Sequence, residues 1–371
     1  MAVSELDKDD SFARLTDEEI YWRDHQEFLE AHGYMLRPRY RPGWTPSWRG
    51  KPFETVLDHE DVFSLPAWLL KLRTKVMDAT RISDGALVYI KRTPTDSEEL
   101  RILSCLNSDE LRQDPRNHCI PLLDVLRDSS DPDISFMVMP FMKYIDYPPM
   151  ERVEDVLDCF DQILEVPIML LFIALSRDCA YKNIMMDASA LFPRGFHPVI
   201  QCSLPDVSAE APVLSRAVMH INYYFIDFGI SSYFRPDSFS RLVVGSSGLD
   251  QEPPELSRIV PYDPFKLDVF LIGNLIRRHF CDVCTSRHTS SRANSQNPCE
   301  QKYSNLPMLE PLMKEMVHPD PARRPTAAEA YQKYTAIRKS VSPISQYWSL
   351  QPRDSYLLVK VVRHVYSLVS A

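Results

Sequence analysis

The stretch Ser176-Arg177-Asp178-Cys179-Ala180-Tyr181-Lys182-Asn183, running straight into the apolar Ile184-Met185-Met186, decides how the rest of the chain is read. An aspartate and an asparagine stand five positions apart just before a strand-like run. Further on, Tyr224-Phe225-Ile226 is a second strand-like run, and it delivers Asp227-Phe228-Gly229. Taken singly, Asp178 is a common kind of loop cap and the spacing is a weak signal. The two motifs in this order are specific. An aspartate that takes a hydroxyl proton, an asparagine oxygen that reaches a metal bridging phosphates, and a second aspartate that holds the metal are what phosphoryl transfer needs. Gly229 permits the unusual backbone turn after Asp227.

Working outward, each flanking segment adds a piece. Lys75 to Ile82 and Ala86 to Arg92 are β-rich runs with Asp84-Gly85 as the turn between them, and Val88-Tyr89-Ile90-Lys91 lies in the second. Ser97 to Leu111 has a helical pattern and holds Glu98 and Glu99, and Ile134 to Met139 reads as a buried strand ended by Pro140. Beyond Tyr147 the pattern is mainly helical, with candidate helices Glu151 to Leu175, Phe265 to Phe280, Pro307 to Val317 and Thr326 to Ser340. Pro253-Pro254-Glu255, Asp268-Val269-Phe270-Leu271-Ile272-Gly273 and Asp320-Pro321-Ala322-Arg323-Arg324-Pro325-Thr326 follow in that order.

With these residues the chain resembles the eukaryotic protein kinases over about 75–340. Arg37-Pro38-Arg39-Tyr40, Asp114-Pro115-Arg116-Asn117-His118-Cys119, Asn183-Ile184-Met185-Met186-Asp187 and Gly195-Phe196-His197-Pro198 make it similar to a fungal group of kinase-like proteins. That group has a tryptophan-containing N-terminal extension and a long insertion before the Asp-Phe-Gly motif. The resemblance implies an α+β, two-lobed fold. Its parts would be an extension over 1–74, a small β-rich lobe over 75–142, a larger helical lobe over 143–340 with an insertion at about 188–222, and a tail over 341–371. It implies ATP and magnesium as cofactors and a protein hydroxyl as acceptor. Lys91 would pair with the α- and β-phosphates, and Glu99, or Glu98 in the other helix register, would orient it. Asp178 would be the catalytic carboxylate, while Asn183 and Asp227 would hold magnesium. Met139 would be the gatekeeper, leaving the Pro140 carbonyl and the Met142 amide for adenine. Glu255 and Arg324 would form a structural ion pair.

The chain also departs from that pattern. Of its nine glycines none lies between Gly50 and Gly85, where a glycine-rich loop would cover phosphates. Ser176 replaces the usual histidine and Ala180 the usual lysine, with Lys182 as a substitute cation from another angle. The apolar Val166 to Leu175 contains Pro167, which would break a helix interior at a cost of about 3 kcal/mol. Two readings stay open: an ATP- and magnesium-dependent serine/threonine-type kinase, and a pseudokinase that serves as a protein-binding module.

Composition bounds these readings. The 371 residues suffice for one large two-lobed domain or two ordinary ones. A net charge of −9 repels nucleic acid and anionic membrane, so neither is expected as a partner. Val166 to Leu175 is too short to cross a bilayer, which needs about 20 residues. Met1 to Leu15 has no basic segment followed by an apolar one, so an intracellular, reducing setting is expected and the eight cysteines read as free thiols. Cys281 and Cys284, with His279, His288 and Cys299 nearby, match no closed zinc motif, and zinc is not expected. Near the N-terminus, Thr16-Asp17-Glu18-Glu19 has capping-box spacing and Gly33 supplies a stop, predicting a helix over Asp17 to His32. The proline-punctuated Tyr34 to Pro52, rich in Arg, Tyr and Trp, is expected to dock on its own domain.

Overall fold

Thr16 opens the first helix as the spacing predicts: its hydroxyl receives the Glu19 amide (3.3 Å) and the Glu19 carboxylate receives the Thr16 amide (2.9 Å). The expected single helix is nevertheless two, α1 (Asp17–Asp24) and α2 (Gln26–Ala31). His25 divides them. Its ring Nδ1 lies 2.7 Å from the Tyr21 carbonyl, the oxygen its own amide would otherwise use, and that amide turns to Trp22 instead. Gly33, at φ +89°, then ends α2.

The computed structural model describes residues 12–52, 58–63, 75–169, 174–175, 178–234, 238–281 and 303–351. The architecture is mixed α+β, and the chain divides into two compact units. The first comprises Met1–Arg101, Ile120–Met142 and Asp187–Ser215, and the second Ile102–Cys119, Lys143–Met186 and Arg216–Ala371.

In the first unit five strands form an antiparallel sheet in the order β1-β2-β3-β5-β4. They are β1 (Tyr34–Met35), β2 (Val76–Arg81), β3 (Leu87–Pro94), β4 (Asp124–Arg127) and β5 (Ile134–Pro140). Asp84-Gly85 makes the β2–β3 turn, with Gly85 at φ +75° and the Asp84 carboxylate held by Arg81 and by the Ala86 amide. Strand periodicity decides the two faces. Met77, Ala79, Val88, Ile90, Phe136 and Val138 pack with Trp22, Leu29, Leu36 and Tyr40 into one core, which leaves Tyr89, Lys91, Met137 and Met139 on the opposite face.

The Tyr34 to Pro52 segment docks on this unit as expected. Arg37 is buried against Asp78 (2.7 Å), Arg39 against Glu19 (2.9 Å), and Trp48 is 1% exposed. The insertion expected at about 188–222, whose Pro and Ser content suggests a surface excursion, is packed against its own unit between Asp187 and Ser215. Leu191, Phe192, Phe196, His197 and Leu204 are buried, and Phe196 packs edge-on against Phe141 at 5.5 Å. His197 accepts the Val199 and Ile200 amides at Nδ1 and so presents its Nε2 proton to Glu60, 3.2 Å away. Phe192 and Phe196 also pack on each other, with centroids 4.9 Å apart, whereas Phe141 and Glu60 are distant in sequence.

The expected helix Ser97 to Leu111 is α3 (Glu98–Leu106) followed by α4 (Asp109–Arg112). At the end of α3 the Asn107 amide (3.0 Å) and its side-chain Nδ2 (2.9 Å) both donate to the Leu103 carbonyl. In the second unit β6 (Lys143–Tyr144), β8 (Ile184–Met186) and β9 (Tyr223–Phe225) form a three-stranded sheet, while β7 (Ala174–Leu175) pairs with β10 (Ser232–Tyr233) and β11 (Val243–Gly245) with β12 (Ser257–Tyr262). Helix α5 (Val153–Met169) is shorter than the expected Glu151 to Leu175: it carries Pro167 in its last turn, and Ala174–Leu175 is strand. Asp263 caps α6 (Pro264–Ile276) by accepting the Phe265 amide (2.8 Å), and Thr326 caps α8 (Ala327–Ser340) with a second reciprocal box. Between them lies α7 (Glu310–Met316), and α9 (Pro343–Gln346) follows. Among the described residues no helix is long and apolar enough to cross a membrane.

Candidate functional site

In the first unit β3 carries Lys91 on the face away from the core, and its Nζ lies 2.6 Å from Glu99 Oε1 in the first turn of α3. Both side chains are partly buried, so the pair is better shielded than a surface bridge. The helix register left open by the sequence is resolved for Glu99, since Glu98 turns outward to Arg101 (2.8 Å). Tyr89, two residues before Lys91 and on the same face, stacks nearly flat on Phe141 with centroids 4.6 Å apart. Met139 stands directly opposite Tyr89 in the ladder. The Phe141 amide donates to the Leu87 carbonyl (3.2 Å), so the carbonyl of the preceding Pro140 faces the other way. Met142 is buried, and its amide has no hydrogen bond among the described residues.

In the second unit the Asp178 loop is tied to the strands that follow it. Asn183 Nδ2 donates to Asp178 Oδ2 (2.7 Å) and to the Asp178 carbonyl (3.1 Å), while the Asn183 carbonyl receives the Ile226 amide (2.9 Å). Ile226 continues β9, whose partner β8 starts at the residue after Asn183. The hairpin therefore fixes the loop and Asp227 against one another. Asp227 is exposed and has φ +58°, a left-handed conformation that non-glycine residues adopt at a cost, while Phe228 beside it is buried.

Asp178 is buried, and its Oδ1 receives the Leu249 amide at 2.8 Å. Burial raises its carboxyl above the ordinary range. The Leu249 and Asn183 donors oppose that rise, and the charges of Asp227 and Asp250 add to it. Lys182 is exposed and pairs with no carboxylate among the described residues. Glu255 and Arg324 form the ion pair that the resemblance implies, through two contacts, one of 2.8 Å, with the guanidinium also on the Lys266 and His318 carbonyls.

Magnesium suits this donor set. It takes one or two carboxylates and completes its shell with phosphates and water, so Asp227 with Asn183 fits it even though the described residues hold no cluster of three or more His, Cys, Asp or Glu. Of the residues weighed for zinc, His279 stacks on Tyr181 at 4.0 Å, while Cys284, His288 and Cys299 lie outside the described residues.

Sequence reasoning gave no role to Tyr181. Its hydroxyl donates to Asp146 and its ring lies against both Tyr144 and His279, which braces the loop between Asp178 and Asn183. Arg216 was missed as well. It is buried and donates to the Ile145 (2.8 Å) and Pro148 carbonyls and to the Tyr223 hydroxyl (3.0 Å). Neither residue carries a signal in the sequence, because all their partners except Tyr223 are remote and none forms a motif. Comparison with family models and with curated proteins finds no match.

Proposed function

We propose that the chain is a protein-kinase-like phosphotransferase that uses ATP and magnesium and delivers a phosphoryl group to a serine or threonine hydroxyl of a protein. The observation that carries this reading is the Lys91–Glu99 pair at 2.6 Å, because the resemblance assigns those two residues to each other and an unrelated chain has no reason to join them. The strand order β1-β2-β3-β5-β4, the β8–β9 hairpin ahead of Asp227 and the Glu255–Arg324 pair support it further.

In this reading Lys91 holds phosphate oxygens, with Glu99 keeping its ammonium in place, and the Pro140 carbonyl and Met142 amide meet the base. Asn183 and Asp227 would hold magnesium, which would neutralise charge on the phosphates. Asp178 takes the acceptor's hydroxyl proton. Its two neutral donors leave lone pairs on both oxygens, and its raised affinity for a proton moves it in the direction a general base requires.

A second reading, a protein-binding module without turnover, is favoured by Tyr89. Its ring covers the face of β3 beside Lys91 and is held there by Phe141. Incorporation of labelled phosphate from ATP into protein substrates, with magnesium present, separates the two. Asp178→Asn and Asp227→Ala are each expected to lower the rate by about 100-fold or more. Incorporation by both variants at the wild-type rate overturns the phosphotransferase reading.

A further inference from the structure

Five arginines, Arg14, Arg23, Arg39, Arg41 and Arg49, line one cavity of about 440 Å³ in the first unit, together with Trp44. No aspartate or glutamate is among its lining residues. In a chain of net charge −9 this is a local reversal of sign. Two of the charges are met within the protein: Glu19 pairs with Arg39 (2.9 Å) and Asp24 with Arg23 (2.7 Å). Arg14, Arg41 and Arg49 pair with no carboxylate among the described residues, and all three are exposed.

The walls that carry these three are fixed from beneath. Buried Arg39 donates to the carbonyls of Phe12 (2.7 Å), Arg14 (3.3 Å) and Asp61 (3.3 Å), and its guanidinium lies 5.2 Å from the Trp44 ring. The Asp61 carboxylate in turn receives the Trp44 indole N–H (2.9 Å) and the Ser47 amide (2.8 Å), and those donors and the Ser47 hydroxyl hold it in its ionised form against the effect of its burial. Arg14 is thus anchored by its own carbonyl, and the loop from Arg41 to Arg49 by Trp44 and Ser47. Holding like charges together without a counter-ion is unfavourable, and walls set in advance lower the ordering cost when one arrives.

Guanidinium groups match phosphate oxygens through paired donors. Cations on several sides of an open cavity suit a compact anion of high charge. A nucleic acid strand needs a continuous cationic track, which an acidic chain does not offer. We propose that this cavity binds a compact polyphosphate without a nucleoside, of the inorganic or the inositol polyphosphate class, at a site independent of Lys91, Asp178 and Asp227.

The test is calorimetric titration of the full chain with inorganic triphosphate and, in a separate arm, inositol hexakisphosphate, in EDTA at low salt. Saturable binding that weakens with added salt is expected in at least one arm, and the tighter arm identifies the ligand class. Arg14→Gln combined with Arg49→Gln should weaken it at least tenfold. Their side chains have no hydrogen-bond or ion-pair partner among the described residues, and an unchanged melting temperature checks that the fold is intact. Lys91→Met should bind as the wild type does. Absence of saturation in both arms, equal affinity in the double variant, or loss of binding in Lys91→Met overturns the proposal.

Discussion

At Arg338 one guanidinium meets three carboxylates of α5: Glu154 at 2.8 Å, Asp158 at 2.6 Å and Asp161 at 2.9 Å. One positive charge cannot neutralise three negative ones. Burial, and after it the charges of Asp158 and Glu165, push the Asp161 carboxyl up to about 6 against the pull of Arg338. A carboxyl that holds its proton more tightly when folded than when unfolded favours the fold at low pH. That contribution is lost as pH rises from the ordinary carboxylate range through about 6, and the cost persists above. Asp161→Asn keeps an oxygen to accept Arg338 Nε and removes the charge. It should therefore flatten the stability profile between about pH 4 and 6 and stabilise the protein by about 1 kcal/mol at pH 7.5, a figure discounted for the residue's partial exposure. Urea melts of the two proteins across that range measure it, and a variant that is less stable at pH 7.5 refutes the account. Asp178 has the same sign of shift from the same leading cause, but there the unfavourable burial serves a proposed proton acceptor.

Gly273 shows how an element's packing can oppose its own propensity. In the middle of α6 an alanine would favour the helix by up to about 1 kcal/mol. A Cβ at this position, however, would stand 2.6 Å from the Met316 Cβ and 3.1 Å from Val317 Cγ1, on and just after α7. Neither atom is the far end of a flexible side chain, so the helices would have to part, and overpacking of this kind costs about 1–3 kcal/mol. Gly273→Ala should thus lower stability by about 1–2 kcal/mol in chemical denaturation, and a gain in stability would show that α6 and α7 approach less closely. A glycine inside a helical pattern does not announce which of these terms wins. The same limit explains the element boundaries. Periodicity carried α6 and α8, and a reciprocal cap carried the start of α1, whereas the break at His25 comes from a side chain that takes a helix carbonyl and leaves the apolar pattern intact. The end of α5 was misplaced because Ala174–Leu175 is as apolar as the helix before it, and only its partner β10 makes it a strand.

Over the whole molecule, the contacts legible in the sequence are those that lie inside motifs or between them. Lys91 and Glu99 are eight residues apart, Asp178 and Asn183 five, and Glu255 and Arg324, though 69 apart, each sit in a recognisable motif. The bonds from Glu60 to His197 and from Leu249 to Asp178 span 137 and 71 residues, with one end outside the motifs weighed for the site, and they were not legible. Whether the legible residues bind nucleotide is a question about the equilibrium between folded and unfolded chain. A ligand that binds only the folded form adds RT ln(1 + [L]/Kd), about 2.7 kcal/mol at a hundredfold excess over Kd. For a chain of this length that is a rise of roughly 5 °C in Tm, at about 2 °C per kcal/mol. ATP with magnesium is expected to produce such a rise in the wild type. Asp227→Ala should remove the part that depends on magnesium, and Lys91→Met most of the remainder. The Tyr89 ring stands beside Lys91 on the same face of β3, so Tyr89→Ala should enlarge the shift if that ring competes with the base. A rise seen only in Tyr89→Ala would favour the binding-module reading, in which the native chain fills its own nucleotide position. Melting curves that ATP and magnesium leave unmoved in both proteins would remove the nucleotide site from the proposal altogether.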